Sequence, residues 1–370
     1  MKFSCTKKDF TEALQVVSKA ASSKQQMPIL SGIYLKADNY SLELQATDYE
    51  LGFIVKIQAN IDSPGQIVLS GRFLQEVVRK LPDEQVIFSF DKEENIAHIQ
   101  SGQANFTLLS MNASEFPVIH HFEGNLEFAM KSDILQDLIK KTVFSCSTDE
   151  TRPVFTGCYM EVDNDTITMA ATNTHRLSVK SVTLDLPIGT IKIIIPAKSL
   201  NELLHIMNPD DPVDVHITCS HNRISFSFDN IYMTSRLIEG AFPDYKKVIP
   251  NDFSTKVTVD TDLFCDAIDR VSLISRSNEY NVIRLSFTEG QIHISSNNPD
   301  IGKAEETVPA SLEGPDVNIA FNAKYVTDVF KNIQTKECVL YLQQNLRPMS
   351  VRENNNDTFL YVVTPVRTAH

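Results

Sequence analysis

Glycine is scarce in this chain, with 12 among 370 residues. A loop that cradles phosphate with its backbone needs glycines close together, and neither G-x-x-x-x-G-K-[ST] nor G-x-G-x-x-G occurs. G-x-S-x-G and H-E-x-x-H are also missing, so no nucleophile elbow and no zinc-protease helix is written here. Cys5, Cys146, Cys158, Cys219, Cys265 and Cys338 stand far apart, without a C-x-x-C pair or a histidine at zinc spacing. They read as buried, reduced thiols. No apolar run approaches the roughly eighteen residues that suggest a membrane span. Lys2, Lys7 and Lys8 are followed by no apolar stretch, which predicts no secretory signal and a cytoplasmic address.

The remaining polar clusters point away from catalysis. His120 and His121 lie in an extended stretch where neighbouring side chains face opposite ways, a poor start for a metal site. Asp210 and Asp211 are flanked by Pro209 and Pro212 and read as a turn. His175–Arg176 admits two readings: a general base, or a pair that fixes a loop or lines a peptide groove, and the second is preferred. The sequence therefore predicts no catalytic residues, no metal and no cofactor.

What is present is a repeat. Arg72 in SGRFLQEVVRKLP, Lys198 in PAKSLNELLHIMN and Lys324 in NAKYVTDVFKNIQ each open a short helix, 126 residues apart at both steps. ATDYEL at Ala46–Leu51 lines up with ATNTHRL at Ala171–Leu177, and more loosely with SNNPDI at Ser296–Ile301. Phe-Pro steps at Phe116 and Phe242 close the first two units, because proline cannot continue a ladder. Three α+β domains follow, 1–124, 125–251 and 252–370, each with two helices on antiparallel sheets of roughly eight strands. In the first helix Phe10, Leu14 and Val17 recur at helical spacing and predict the core face.

Net charge is −13, which alone argues against a nucleic-acid partner. Its distribution argues differently. The expected helices, Lys7–Lys19, Gly71–Leu81, Met130–Phe144, Ala197–Met207, Asp260–Arg276 and Asn322–Ile333, hold 14 basic against 11 acidic residues, leaving −16 for everything else. Either the helices face a polyanion or they are ordinary solvated helices rich in good helix formers.

The chain resembles the bacterial beta sliding clamps along its whole length. The resemblance is carried by MKF at the start, MPILSGIYL, ATNTHRLSV, RLIEGAFPDYKKVIP, FNAKYVTDVF and the closing YVVTPVR. It implies the DNA clamp fold, a head-to-tail homodimeric ring around duplex DNA, and a role in replication without catalysis. It also implies partners: the replicative DNA polymerase, the clamp loader and repair polymerases, docking through a short peptide. Size agrees, since domains of about 120 residues are roughly 35 Å across and six in a ring leave a hole about as wide as one domain. Three leave too little for a duplex about 20 Å across, with grooves near 8 Å deep.

By the same resemblance, phosphate contacts fall on Lys24, Arg72, Lys198 and Lys324, with Arg79, Lys80, Lys140 and Lys141 behind them; a solvated helix face is the alternative for each. The ring contact falls on Phe106 and Leu108 facing Leu273 and Ile274. The partner-peptide groove falls on Phe155, Thr172, Thr174, His175, Arg176, Leu177, Pro243, Lys247, Val248, Tyr280, Asn322, Tyr325, Arg347, Met349, Val362, Thr364, Pro365, Val366 and Arg367. Thr174 stands where the family commonly has glycine, so the ATNTHRL loop is expected to sit differently. Thr368-Ala369-His370 replaces the apolar end common in the family. The runner-up readings are a monomeric peptide-binding adaptor that does not encircle DNA, and an enzyme built of three repeats that acts on a polymer.

Overall fold

Stretches that alternate apolar and polar residues pair as antiparallel strands, and the element order recurs three times, with one extra strand, β5, in the first repeat. The computed structural model describes residues 1–21, 27–82, 85–276, 281–343 and 346–367. The first repeat runs β1 (Lys2–Thr6), α1 (Lys7–Val17), β2 (Gly32–Asp38), β3 (Ser41–Thr47), β4 (Leu51–Gln58), β5 (Asn60–Ser63), β6 (Gly65–Ser70), α2 (Gly71–Lys80), β7 (Gln85–Asp91), β8 (Ile96–Ser101) and β9 (Ala104–Met111). The second runs β10 (Leu126–Lys131), α3 (Ser132–Lys140), β11 (Gly157–Asn164), β12 (Thr166–Thr172), β13 (Arg176–Thr183), β14 (Gly189–Pro196), α4 (Ala197–Ile206), β15 (Asp214–Cys219), β16 (Arg223–Phe228) and β17 (Ile231–Arg236). The third runs β18 (Thr255–Asp260), α5 (Thr261–Ser272), β19 (Val282–Thr288), β20 (Gln291–Asn298), β21 (Gly302–Glu313), β22 (Val317–Asn322), α6 (Ala323–Phe330), β23 (Glu337–Leu342), β24 (Met349–Glu353) and β25 (Asn356–Val363). No described helix is long and apolar enough to cross a membrane.

Two compact units emerge, one of residues 1–133 with 202–237, the other of 134–201 with 238–370. Each holds one continuous sheet. The first unit's sheet has 13 strands, in the order β10-β15-β16-β17-β4-β3-β2-β6-β9-β8-β7-β1-β5. The second has 12, in the order β14-β11-β12-β13-β25-β24-β23-β18-β21-β20-β19-β22. The middle repeat thus gives β10 and β15–β17 to one sheet and β11–β14 to the other.

Every helix is shorter than periodicity suggests, and two starts show why. Asp260 and Asn322 are caps rather than helical residues: Asp260 Oδ1 accepts from the Leu263 N–H at 3.0 Å, and Asn322 Oδ1 from the Lys324 N–H at 2.9 Å. The third helix stops at Lys140, and a separate 3₁₀ turn covers Val143–Ser145. Phe10, Leu14 and Val17 are buried, on the expected face. Phe3 stacks on Phe88 with ring centroids 4.7 Å apart and meets Phe10 edge-on at 6.2 Å. In the second unit Phe264 of α5 meets Phe330 of α6 edge-on at 5.0 Å, within a core that includes Phe287 and Phe321. All six cysteines are free thiols, five buried and Cys146 half-buried; burial pushes the Cys5, Cys219 and Cys338 thiols up to about 12.

Candidate functional site

Arg72, Lys198 and Lys324 each occupy the second position of a helix, α2, α4 and α6, behind a glycine or alanine, and all three are exposed. The positive end of the macrodipole lies there, so a cation in the first turn opposes the helix. None of these three first turns carries an acid. The other helices do the opposite, with Asp9, Asp133 and Asp262 in the first turns of α1, α3 and α5. The macrodipole therefore does not favour these three basic residues, although Arg72 also pairs with Glu76 one turn on at 3.4 Å.

The charge sorting by helices needs correcting. Lys19, Lys131, Lys141, Arg276 and Lys331 fall just outside the observed helices, which then hold nine basic and ten acidic residues. The sorting survives between helix types: α2, α4 and α6 hold five basic against three acidic, and α1, α3 and α5 four against seven. Arg79, Lys80 and Lys140 are exposed in last turns, where the dipole favours a cation. Lys141 is a second correction. Its side chain is 6% exposed, with Nζ 2.7 Å from Glu353 Oε1 and 3.2 Å from Asp137 Oδ1, so it is spent on internal ion pairs and is no phosphate contact. Lys24 lies outside the described residues.

Within the second unit, the loop Thr172–Arg176 is a hydrogen-bonded turn. Thr172 Oγ1 donates to the Arg176 carbonyl at 2.6 Å and accepts from the Thr174 N–H at 3.1 Å. Asn173 Oδ1 accepts from the N–H groups of His175 and Arg176, both at 3.1 Å. Thr174 sits at φ +77°. A β-branched residue thus bears the left-handed conformation that favours glycine. Thr174→Gly is expected to raise the unfolding free energy by about 1 kcal/mol, seen as a higher denaturant midpoint. An unchanged midpoint would mean the loop imposes no strain.

Arg176 fixes this loop from below. Its Nη1 lies 2.6 Å from Asp328 Oδ2 on α6, Nη2 donates to the Phe144 carbonyl, and the guanidinium carbon is 4.7 Å from the Tyr325 ring centroid and 5.7 Å from that of Phe144. Tyr361, fully buried beneath, donates from Oη to the Tyr325 carbonyl at 2.6 Å, and burial pushes its phenol well above the usual range. His175 stacks on the outer side of Tyr325, centroids 6.2 Å apart.

Above this base lies a cavity of about 740 Å³. It collects Phe155, Thr172, Thr174, His175, Arg176, Leu177, Pro243, Lys247, Val248, Arg347, Val362 and Thr364. Its size and mixed lining suit a short peptide or comparable organic ligand. Met349 does not belong: it is fully buried and pairs with Val363 in the core below. Asn322 caps α6, Tyr325 lies behind Arg176, and Pro365, Val366 and Arg367 lead away, with the Val366 N–H donating to the Ala320 carbonyl at 2.8 Å. Tyr280 lies outside the described residues. Asp244, Tyr245, Ile249–Asp252, Gln343 and Pro348 line the cavity without having been expected. The connector after Phe242 could have announced Asp244 to Asp252, since a segment that closes a repeat must pass the strand ends; Gln343 and Pro348, from the turn between β23 and β24, carry no such signal.

The expected contact residues are on the surface. Phe106 is 37% exposed and Leu273 58%, with Leu108 and Ile274 half-buried. Leu109, not anticipated, is 75% exposed. Over Ala104–Leu109, β9 pairs only with β8, and over Gly302–Pro309, β21 pairs only with β20, among the described residues.

Residues 1–120, 129–244 and 246–367 match the families described as the N-terminal, central and C-terminal domains of DNA polymerase III beta subunit. The beta sliding clamp of Bacillus subtilis (strain 168) is 36% identical over 379 residues, covering 100% of both chains. The crystal structure of the Bacillus subtilis DNA polymerase sliding clamp superposes with a TM-score of 0.95 at 35% identity, again over 100% of each chain. A Pseudomonas aeruginosa sliding clamp bound to griselimycin superposes with a TM-score of 0.93 at 28% identity and 100% coverage of each chain.

Proposed function

The chain belongs to the DNA polymerase III beta subunits, the bacterial sliding clamps, and from that premise we propose how its surfaces divide the work. It is a DNA sliding clamp, a processivity factor without catalysis of its own. The three repeats are taken to meet near Gly124 and Asn251.

The observation that carries ring closure is the pair of half-paired strands. Inside the chain, β17 closing the second repeat pairs with β4 of the first, and β25 closing the third pairs with β13 of the second. By the same rule β9, which closes the first repeat, takes β21 of another copy, bringing Phe106, Leu108 and Leu109 toward Leu273 and Ile274. Two such contacts related by a two-fold axis close a six-domain ring rather than a filament.

Arg72, Lys198 and Lys324 then face the duplex, with Arg79, Lys80 and Lys140 near them. Contacts from Arg and Lys to phosphate carry no base information and weaken with salt, which suits a protein that slides. The cavity beside Arg176 takes a short, mostly apolar peptide from the replicative polymerase, the clamp loader or repair polymerases. The site of action is the cytoplasm, where the chromosome is copied.

The test is retention of loaded protein on nicked circular DNA before and after the circle is cut once. Retention on the circle and loss on linearisation are expected, and Arg72→Glu with Lys198→Glu should shorten retention on the circle while leaving the dimer mass intact. Equal retention on both forms would mean surface binding and overturn the ring.

A further inference from the structure

The junction between the first two repeats, inside the first unit, copies the loop that holds the peptide cavity. Thr47 Oγ1 donates to the Leu51 carbonyl at 2.9 Å and accepts from the Tyr49 N–H at 3.0 Å. Asp48 Oδ1 accepts from the N–H groups of Glu50 at 3.1 Å and Leu51 at 2.8 Å. Tyr49 has φ +72°. All four hydrogen bonds and the left-handed residue thus match those around Thr174. The flanking strand matches as well: the Arg236 N–H donates to the Glu50 carbonyl at 2.8 Å, as the Thr364 N–H does to that of His175 at 2.9 Å.

A cleft of about 370 Å³ opens beside this loop, about half the volume of its counterpart. Strand register fixes the correspondence of residues. On the floor, Gly52 replaces Leu177 and Thr234 replaces Val362. Ile119 leans over Gly52, where a Cβ would meet its Cδ1 at 2.8 Å, and so supplies part of the apolar surface that glycine lacks. On the rim the neutral Pro348 and Thr364 give way to Arg223 and Arg236, both exposed, joined by His120 and His121. Glu50 is the one acid among the lining residues, 3.8 Å from Arg236 Nη1.

We propose that this cleft is a second peptide-docking site, for an acidic linear segment that seats one apolar side chain on Ile119 and sets its carboxylates against Arg223 and Arg236. Charge complementarity selects the occupant. On a chain of net charge −13, two arginines converging on a small apolar floor favour a carboxylate-rich segment and disfavour the apolar peptide suited to the larger cavity. The inference rests on reading that larger cavity as a peptide site, and the experiment below separates the two.

Fluorescence anisotropy on the full-length protein would use two labelled hexapeptides, leucine-phenylalanine followed by four aspartates or by four asparagines. The acidic peptide is expected to bind at least tenfold more tightly than the neutral one. Arg223→Glu with Arg236→Glu should weaken it at least tenfold, and the milder Arg223→Gln with Arg236→Gln covers the case in which charge reversal perturbs folding. Val248→Asp, on the exposed rim of the larger cavity, should leave acidic-peptide binding unchanged. The proposal is overturned if the acidic peptide fails to bind, if both arginine variants bind it as wild type does, or if Val248→Asp abolishes its binding. It is equally overturned if a twelve-nucleotide oligothymidylate, and not the peptide, responds to the arginine variants. An apolar peptide that ignores Val248→Asp would count against the first cavity alone.

Discussion

Lys141→Ala is expected to remove about 3 kcal/mol of folding free energy, the cost of leaving a buried carboxylate without its partner. Glu353 is the group left behind. Its side chain is 2% exposed, and the remaining partner of its carboxylate is Asn356, whose Nδ2 donates to Oε2 at 2.6 Å. Lys141 also approaches Asp137, which Lys180 reaches from the other side at 3.1 Å while donating to Thr358 Oγ1 at 2.8 Å. Removing one lysine therefore unbalances two carboxylates and takes a cation from 5.6 Å off the Phe359 ring centroid. Lys141→Met with Glu353→Leu should recover most of the loss, because an apolar pair of similar volume needs no compensation. Denaturant titration followed by circular dichroism measures both. A midpoint for Lys141→Ala equal to wild type would return this lysine to solvent and to the set of phosphate contacts.

Arg176→Ala should act on stability and on binding together. The guanidinium bridges the groove loop to Asp328, ties down the Phe144 carbonyl and lies against the Tyr325 ring. Its loss strands Asp328 at 23% side-chain exposure and removes the base of the cavity, for about 3 kcal/mol of stability. Affinity for an apolar groove peptide should fall at least tenfold, about 1.4 kcal/mol in binding, read by anisotropy at a temperature where the variant is folded. Arg176→Lys should restore little, since an ammonium cannot hold a carboxylate, a carbonyl and an aromatic face at once. A variant that keeps both its midpoint and its peptide affinity would show that the loop is held by Thr172 and Asn173 alone.

Lys141 and Arg176 mark the boundary of what was legible in the sequence. The repeat was readable from recurring motifs, and the starts of α2 and α4 at Gly71 and Ala197 and the core positions Phe10, Leu14 and Val17 because each depends on neighbours within a turn or two. The fate of Lys141 was not, because its partner Glu353 is more than two hundred residues away and lies on another repeat. Helix ends were overrun because Asp260 and Asn322 look helical by composition, and only the bond from side chain to backbone shows them to be caps. The loop at Thr174 was expected to shift, on the rule that threonine avoids positive φ. Four hydrogen bonds outweigh that preference, and Tyr49, in the same conformation, is a precedent within the same chain.

Each of the two junctions inside the chain has a backbone ladder at its centre, five residue pairs between β4 and β17 and five between β13 and β25, and the second adds the side-chain pairs of Lys141 and Arg176. Main-chain hydrogen bonds do not read side chains. Outside such side-chain pairs a joint of this kind tolerates drift in the residues around it, so the pockets beside the two ladders can diverge, one roomy and apolar and the other small and cationic. An outward pull on the closed assembly falls on ladders of amide bonds and on the connectors after Phe116 and Phe242, which are themselves tied down, the Ile119 N–H donating to Gln45 Oε1 at 2.8 Å and Tyr245 lying buried.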